Sequence, residues 1–218
     1  LPGASLRLAE STPHVCSDNA SGTSSTAYKT VDNLTLSGSG TLDLGNAELA
    51  LLSPFRLADG RTLELAGEGQ LRLPSTGTSE VDGATLRLSG TTTLHQGTLS
   101  FSNEAVLEAT GVGVLRQLVA HLSNATIQVG EGQTLSFDNA TLKSQGALIK
   151  AGGTLALNQW VLEDNSSLSS NTPIAVNHLS LAGNTLSLLN ETSDLNIRDN
   201  LSLGLDEHLD SRLNDVEL

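Results

Sequence analysis

Residues 61–73 read Arg-Thr-Leu-Glu-Leu-Ala-Gly-Glu-Gly-Gln-Leu-Arg-Leu. Two Leu-x-Leu units, Leu63/Leu65 and Leu71/Leu73, flank a joint that holds Gly67 and Gly69. In an extended chain, residues two apart point to one face and the residue between them to the other. The leucines therefore mark a buried side, and Glu64 and Arg72 a wet one. Two folds are compatible with the stretch. In a hairpin the two charges would face each other across neighbouring antiparallel strands. In a coil the chain turns the same way at each joint, and the two charges lie on different faces.

The unit recurs along almost the whole chain: Leu34/Leu36, Leu42/Leu44, Leu86/Leu88, Leu99/Phe101, Ile127/Val129, Leu135/Phe137, Leu155/Leu157, Leu179/Leu181, Leu186/Leu188, Leu195/Ile197 and Leu201/Leu203. Between about residues 30 and 200, apolar spacings of three and four are never sustained, which argues against helices. The steps between units are mostly five to eight residues, too short for helical crossovers between parallel strands. A longer period decides between the remaining folds. One column runs Leu42, Leu63, Leu86, Leu107, Ile127, Leu148, Leu168, Leu188. A second runs Leu49, Leu71, Leu94, Leu115, Leu135, Leu155, and a third Val81, Leu99, Leu122, Leu142, Leu162. Three interleaved columns with a step near 21 residues predict a right-handed, single-stranded parallel β-helix with three faces. Stacking at about 4.8 Å per coil, about eight coils make a rod of roughly 35–40 Å. An antiparallel β-sandwich or a trimeric β-rich fibre domain is the competing fold.

The joints agree with a coil. Gly60, Gly67, Gly69, Gly83, Gly130, Gly132, Gly152 and Gly153 supply the backbone freedom that corners need. Thr41, Thr62, Thr98, Thr134 and Thr154 open strands, where β-branching is favourable. The expected organisation is an N-terminal cap or irregular first coil at 1–33, the β-helix at 34–203, and a short helical cap or the start of a following helix at 204–218. The last expectation rests on Leu205, Leu209, Leu213 and Val216, spaced as on a helix.

Composition narrows the partners. The net charge is −13 and charged residues make up 16% of the chain. Such a surface repels phosphate backbones and anionic membranes, so nucleic acid is not an expected partner. No apolar run reaches the length of a membrane-spanning helix, so no membrane insertion by this segment is expected. One cysteine, Cys16, allows no intrachain disulfide. The opening residues LPGASLRLAE lack the basic-then-apolar order of a secretory leader. Aromatic residues are 2% of the chain, so aliphatic side chains must fill the core.

The Gly- and Asn-punctuated Thr-Leu-x-Leu units from about 34 to 203, in an acidic chain poor in cysteine and aromatics, resemble the β-helical passenger regions of bacterial autotransporters and related large surface adhesins. Phe101-Ser-Asn103, Phe137-Asp-Asn139 and Gly152-Gly153-Thr154 are similar to pieces of polymorphic-membrane-protein repeats, a group that usually carries more cysteine. The resemblance implies a secreted or bacterial cell-surface rod within a larger parent chain. It implies attachment to a host or cell-surface protein or glycan, and carries over no site residue.

Candidate chemistry follows from the columns. Asp43, Glu64, Arg87 and Glu108 would form one outward row. A carboxylate row of this kind could do acid/base work on polysaccharides, or be a solvated charge ladder. The ladder is the expectation, because no aromatic platform or loop-walled cleft accompanies the row. Trp160, in the interruption at 158–167, is the one candidate for carbohydrate contact, against the plainer reading of a tryptophan buried at a corner. His14, His95, His121, His178 and His208 show no metal-ligand spacing, and no calcium-binding nonapeptide occurs. No cofactor and no metal is expected, and the chain is expected to be non-enzymatic. Mixed residues two after each threonine argue against ice binding. Asn-x-Ser/Thr triplets begin at Asn19, Asn33, Asn124, Asn139, Asn165, Asn190 and Asn200. They are read as Asn at corners followed by strand Ser or Thr, with glycan acceptance as the alternative.

Overall fold

The computed structural model describes residues 4–7, 29–32, 34–35 and 38–204. Among these residues there is no helix, and each strand runs parallel to the strands it pairs with. The chain winds through about eight stacked coils of roughly 21 residues. The first full coil uses Gly40–Asp43, Glu48–Leu51 and Arg56–Ala58, one strand on each of three faces. The next uses Thr62–Ala66, Gln70–Arg72 and Thr78–Asp82. Glu64 and Arg72 thus lie on different faces, and the hairpin is excluded. Below the first coil, Ala4–Arg7 pairs with Gly40–Asp43 and Lys29–Val31 with Glu48–Leu51. Residues 1–3, 8–28 and 33, with Cys16 and His14, lie outside the described residues, as do 205–218 and the helix expected there.

Strands of the first face form one continuous sheet. The second and third faces form a single second sheet, because the strand Thr154–Leu162 does not break at the corner between them. It pairs with the second face through 154–156 and with the third through 159–162. The strands Ile174–Ser180 and Leu195–Ser202 repeat this course above it. The interruption expected at 158–167 is therefore strand as far as Leu162. The inward Trp160, 0% exposed, fills the widened corner.

Inward positions alternate along each strand and close one continuous aliphatic core. Each leucine buried there contributes about 1.5–3 kcal/mol. The columns keep their expected inward parity except at Leu148, and the register differs at several places. Leu42 pairs with Leu65, and Leu63 with Gly40. Ile127 pairs with Ile149, one residue beyond the expected Leu148. Leu115 pairs with Phe137, leaving Gly113 opposite Leu135. Val81 pairs with Phe101 and Leu122 with Ser144, so Leu99 lies between Ser79 and Ala120. Leu142 pairs with Trp160. Most of these are slides of two residues, which keep every side chain on its own face. Alternation alone does not resolve them.

Corner glycines set how closely coils can stack. At the corner between the first and second faces, Gly67, Gly90 and Gly111 lie one above another. Thr91 N donates to Gly67 O at 2.8 Å, Val112 N to Gly90 O at 2.6 Å, and Thr134 N to Gly111 O at 3.0 Å. A Cβ on Gly90 (φ +74) would run into the Gly67 carbonyl, and one on Gly111 into the Gly90 carbonyl. The ladder therefore continues through the corner only where no side chain exists. Gly132 has a similar φ of +70 but open space around it. Gly132→Ala should cost only the left-handed backbone term, about 1–2 kcal/mol. Gly90→Ala should cost clearly more, because the clash adds to it. Urea unfolding followed by the fluorescence of the single tryptophan measures both, and equal midpoints for the two variants would contradict this stacking.

Candidate functional site

On the first face the outward row runs Thr41, Glu64, Arg87, Glu108, Gln128, Lys150 and Ser169. Asp43 is not part of it. The two-residue slide places Asp43 beside Ala66, and its carboxylate accepts from Gly45 N at 2.9 Å, closing a turn. Arg87 Nε donates to Glu108 at 2.8 Å. Glu64 instead accepts from Ser89 Oγ at 2.7 Å and from Thr41 Oγ1 at 3.3 Å. The two glutamates stand two coils apart, about 9–10 Å along the rod. That separation alone would suit an inverting glycosidase. The Arg87 side chain lies between them, however, where a water and a sugar would have to sit.

Several other outward charges are engaged in the same way, along the rod axis. On the third face Asp82 accepts from Asn103 Nδ2 at 2.6 Å, Arg56 Nη2 at 2.9 Å and Ser102 Oγ at 3.3 Å. The Asn103 hydrogen bond, ahead of the Arg56 contacts, holds this carboxyl below its ordinary range. Two coils further on, Lys143 Nζ lies 3.0 Å from Glu163 Oε1, with His121 Nδ1 3.9 Å from the same carboxylate. Partial burial lowers the affinity of His121 for a proton. Lys143 adds to that, and Glu163 opposes it without reversing it. Among the described residues, no group of three His, Cys, Asp or Glu side chains is arranged to hold a metal ion. No helix there is long and apolar enough to cross a membrane.

Trp160 offers no surface to a ligand. Its indole N–H donates to Ser144 Oγ at 2.9 Å, and Ser166 Oγ bonds the same hydroxyl at 3.0 Å. A buried N–H without a partner costs about 1–3 kcal/mol. That accounts for a serine at an inward position between Leu122 and Leu162. The sequon asparagines also differ. Asn190 Nδ2 donates to Ser170 O, Asn171 Oδ1 and Thr192 Oγ1, so its side chain ties a corner together.

A column on the second face was not singled out in the sequence. Arg72, His95 and Arg116 are register partners on three successive coils. Each reaches toward the coil above. Arg72 Nε donates to Gln96 Oε1 at 2.9 Å, His95 Nε2 contacts Gln117 Oε1 at 2.8 Å, and Arg116 Nε pairs with Asp138 at 2.8 Å. His95 Nδ1 is the one buried side-chain nitrogen or oxygen among the described residues without a hydrogen-bond partner. At the lower end of this column lies a cleft of about 180 Å³, lined by Leu52, Arg72, Pro74, Ser75, Thr76 and Gln96 among others. The signal for it was the interruption after Leu73, which breaks the regular step to the third face.

Compared with known proteins, the chain matches no family model, no curated sequence and no solved structure.

The depressed His121 affinity fixes the sign of a pH dependence. Between its folded value and the ordinary 6.5, the unfolded chain binds the extra proton. This contribution to stability is full above pH 6.5 and is lost as pH falls through the folded value. His121→Gln should flatten the stability–pH curve just below pH 6.5, measured by urea unfolding across that range. An unchanged slope would contradict the assignment.

Proposed function

We propose that this chain is a rigid, non-enzymatic attachment or stalk module of a larger secreted or cell-surface protein. The observation that carries this reading is the direction of its surface contacts. Outward charges pair with neighbours along the rod, as in Arg87–Glu108, Arg116–Asp138 and Lys143–Glu163. Such pairs stiffen and solubilise a surface, and each contributes about 0.2–1 kcal/mol. None converges on a point where a bond could be broken. A parallel coil also pairs its backbone from one turn to the next, so the faces present side chains alone. This suits a spacer that holds a binding surface at a fixed distance.

A polysaccharide-cleaving solenoid and a trimeric fibre domain are the two competitors. The first would need carboxylates in an open groove, and the row at Glu64, Arg87 and Glu108 is internally occupied. The second would place apolar side chains on an outer face. Among the described residues the exposed large ones are Val31 and Leu52, which adjoin on neighbouring coils, and Val112, Leu189 and Leu203, which lie at other coils, so they form no continuous apolar face.

A panel of immobilised glycans and matrix proteins, probed with the isolated chain and paired with light scattering, tests the proposal. The expected outcome is saturable binding by a monomer with no product released from polysaccharides. Polysaccharide depolymerisation would establish the enzyme. A stable trimer that binds nothing would establish the fibre domain.

A further inference from the structure

We infer that residues 205–218 lie across the upper end of the rod as an amphipathic helix, apolar side down, and close that end to a second copy of the chain. The inference goes beyond the attachment reading and does not depend on it.

The upper end needs a cover. The last coil places Leu186–Leu188 on the first face and Leu195–Ser202 on the second and third. Among the described residues, each pairs only with the strand below it, Ser166–Ser170 or Ile174–Ser180. The opposite edge of each is therefore open. The core opens there as well. One coil down, Ile174, Val176, Leu179 and Leu181 are at most 1% exposed. In the last coil Leu188 and Leu195 reach 7%, the highest values among the buried core residues, and Ile197 and Leu201 are only partly buried. Beside Leu188, Leu189 is 57% exposed, and Leu203, just past the last strand, is 54% exposed. An open strand edge above an apolar core pairs with other chains unless a helix or loop covers it.

The chain itself supplies the cover. Gly204 is followed by Leu205-Asp-Glu-His-Leu-Asp-Ser-Arg-Leu-Asn-Asp-Val-Glu-Leu218. A further coil does not suit this segment. Strand alternation would turn Glu207 and Asp215 inward together with Leu205, Leu209 and Leu213. The buried polar side chains of the described coils are serine and threonine alone, and an unpaired buried charge costs far more than a hydroxyl. A helix does suit it. At about 100° per residue, Leu205, Leu209, Leu213 and Val216 fall within an arc of about 80°, with Glu207, Asp210 and Asp215 outside it. Such a helix is about 21 Å long, close to the roughly 25 Å of the extended strand Leu195–Ser202 below it. Of a cap and the start of a helix leading elsewhere, the open end thus favours the cap. A second copy stacked head to tail is the rival cover. It competes poorly with a segment tethered at Gly204, whose effective concentration is on the order of millimolar.

Nuclear Overhauser contacts between methyl groups of the full chain, with amide hydrogen exchange, test the cap. Leu209 and Leu213 methyls should contact Ile197 and Leu201, and 206–217 should show helical Cα shifts. Leu209→Asp with Leu213→Asp should speed exchange along Leu195–Ser202 about tenfold or more, and along Thr98–Ser102 less than about twofold. Glu207→Gln with Asp210→Asn, on the other side of the helix, should change neither by more than about twofold. If the leucine variant does not fold, the methyl contacts of the unaltered chain decide. Extended shifts over 206–217, no contact between this segment and the last coil, or intermolecular contacts at Ile197 and Leu201 in a mixed-label sample would each overturn the cap.

Discussion

Each coil has to return to within one strand spacing of the coil below, about 4.8 Å, and everything else in the molecule is arranged around that constraint. The backbone hydrogen bonds that run up the rod enforce it, and they continue through the first corner as Thr91 N to Gly67 O and Val112 N to Gly90 O. A side chain at Gly90 or Gly111 would hold two coils apart. The inward columns then follow, because strands stacked at fixed spacing bring like positions into contact. Leu63, Leu86, Leu107 and Ile127 meet through register, not through any attraction specific to leucine.

The same constraint explains what was legible in the sequence. Leu-x-Leu units gave the inner and outer sides, and the 21-residue step gave the parallel coil. What alternation leaves open is a slide by two, since Leu42 is inward whether it meets Leu63 or Leu65. Register depends on how many residues each corner consumes, and corner length varies from the two-residue break at Ser89–Gly90 to none at all within Thr154–Leu162. The slide at Leu42 removed Asp43 from the row that had looked most like chemistry. Trp160 follows the plainer of its two readings, a tryptophan buried at a corner, and the unbroken strand there turns it inward toward Ser144. The cleft beside Arg72 was harder to see, because it depends on Leu52, Arg72 and Gln96, which belong to three successive coils.

A solenoid of this kind separates two tasks that a globular domain mixes. The interior and corners fix the shape, and the outward positions are left free to vary. Several of them here form pairs along the rod, which stiffen the surface. The second face departs from this where the chain lingers after Leu73. The segment after Leu73 is thus an interrupted corner between otherwise regular strands.

The central claim is that the neighbour of Glu64 is Arg87, a full coil away, and not Arg72, eight residues on. Paired cysteines measure this directly, in a Cys16→Ser background. Stacked parallel partners bring Cα atoms within the range a disulfide accepts, about 4.4–6.8 Å. Glu64→Cys with Arg87→Cys should close under mild oxidation, and Glu64→Cys with Arg72→Cys should stay open. Closure of the second pair and not the first would contradict the parallel coil.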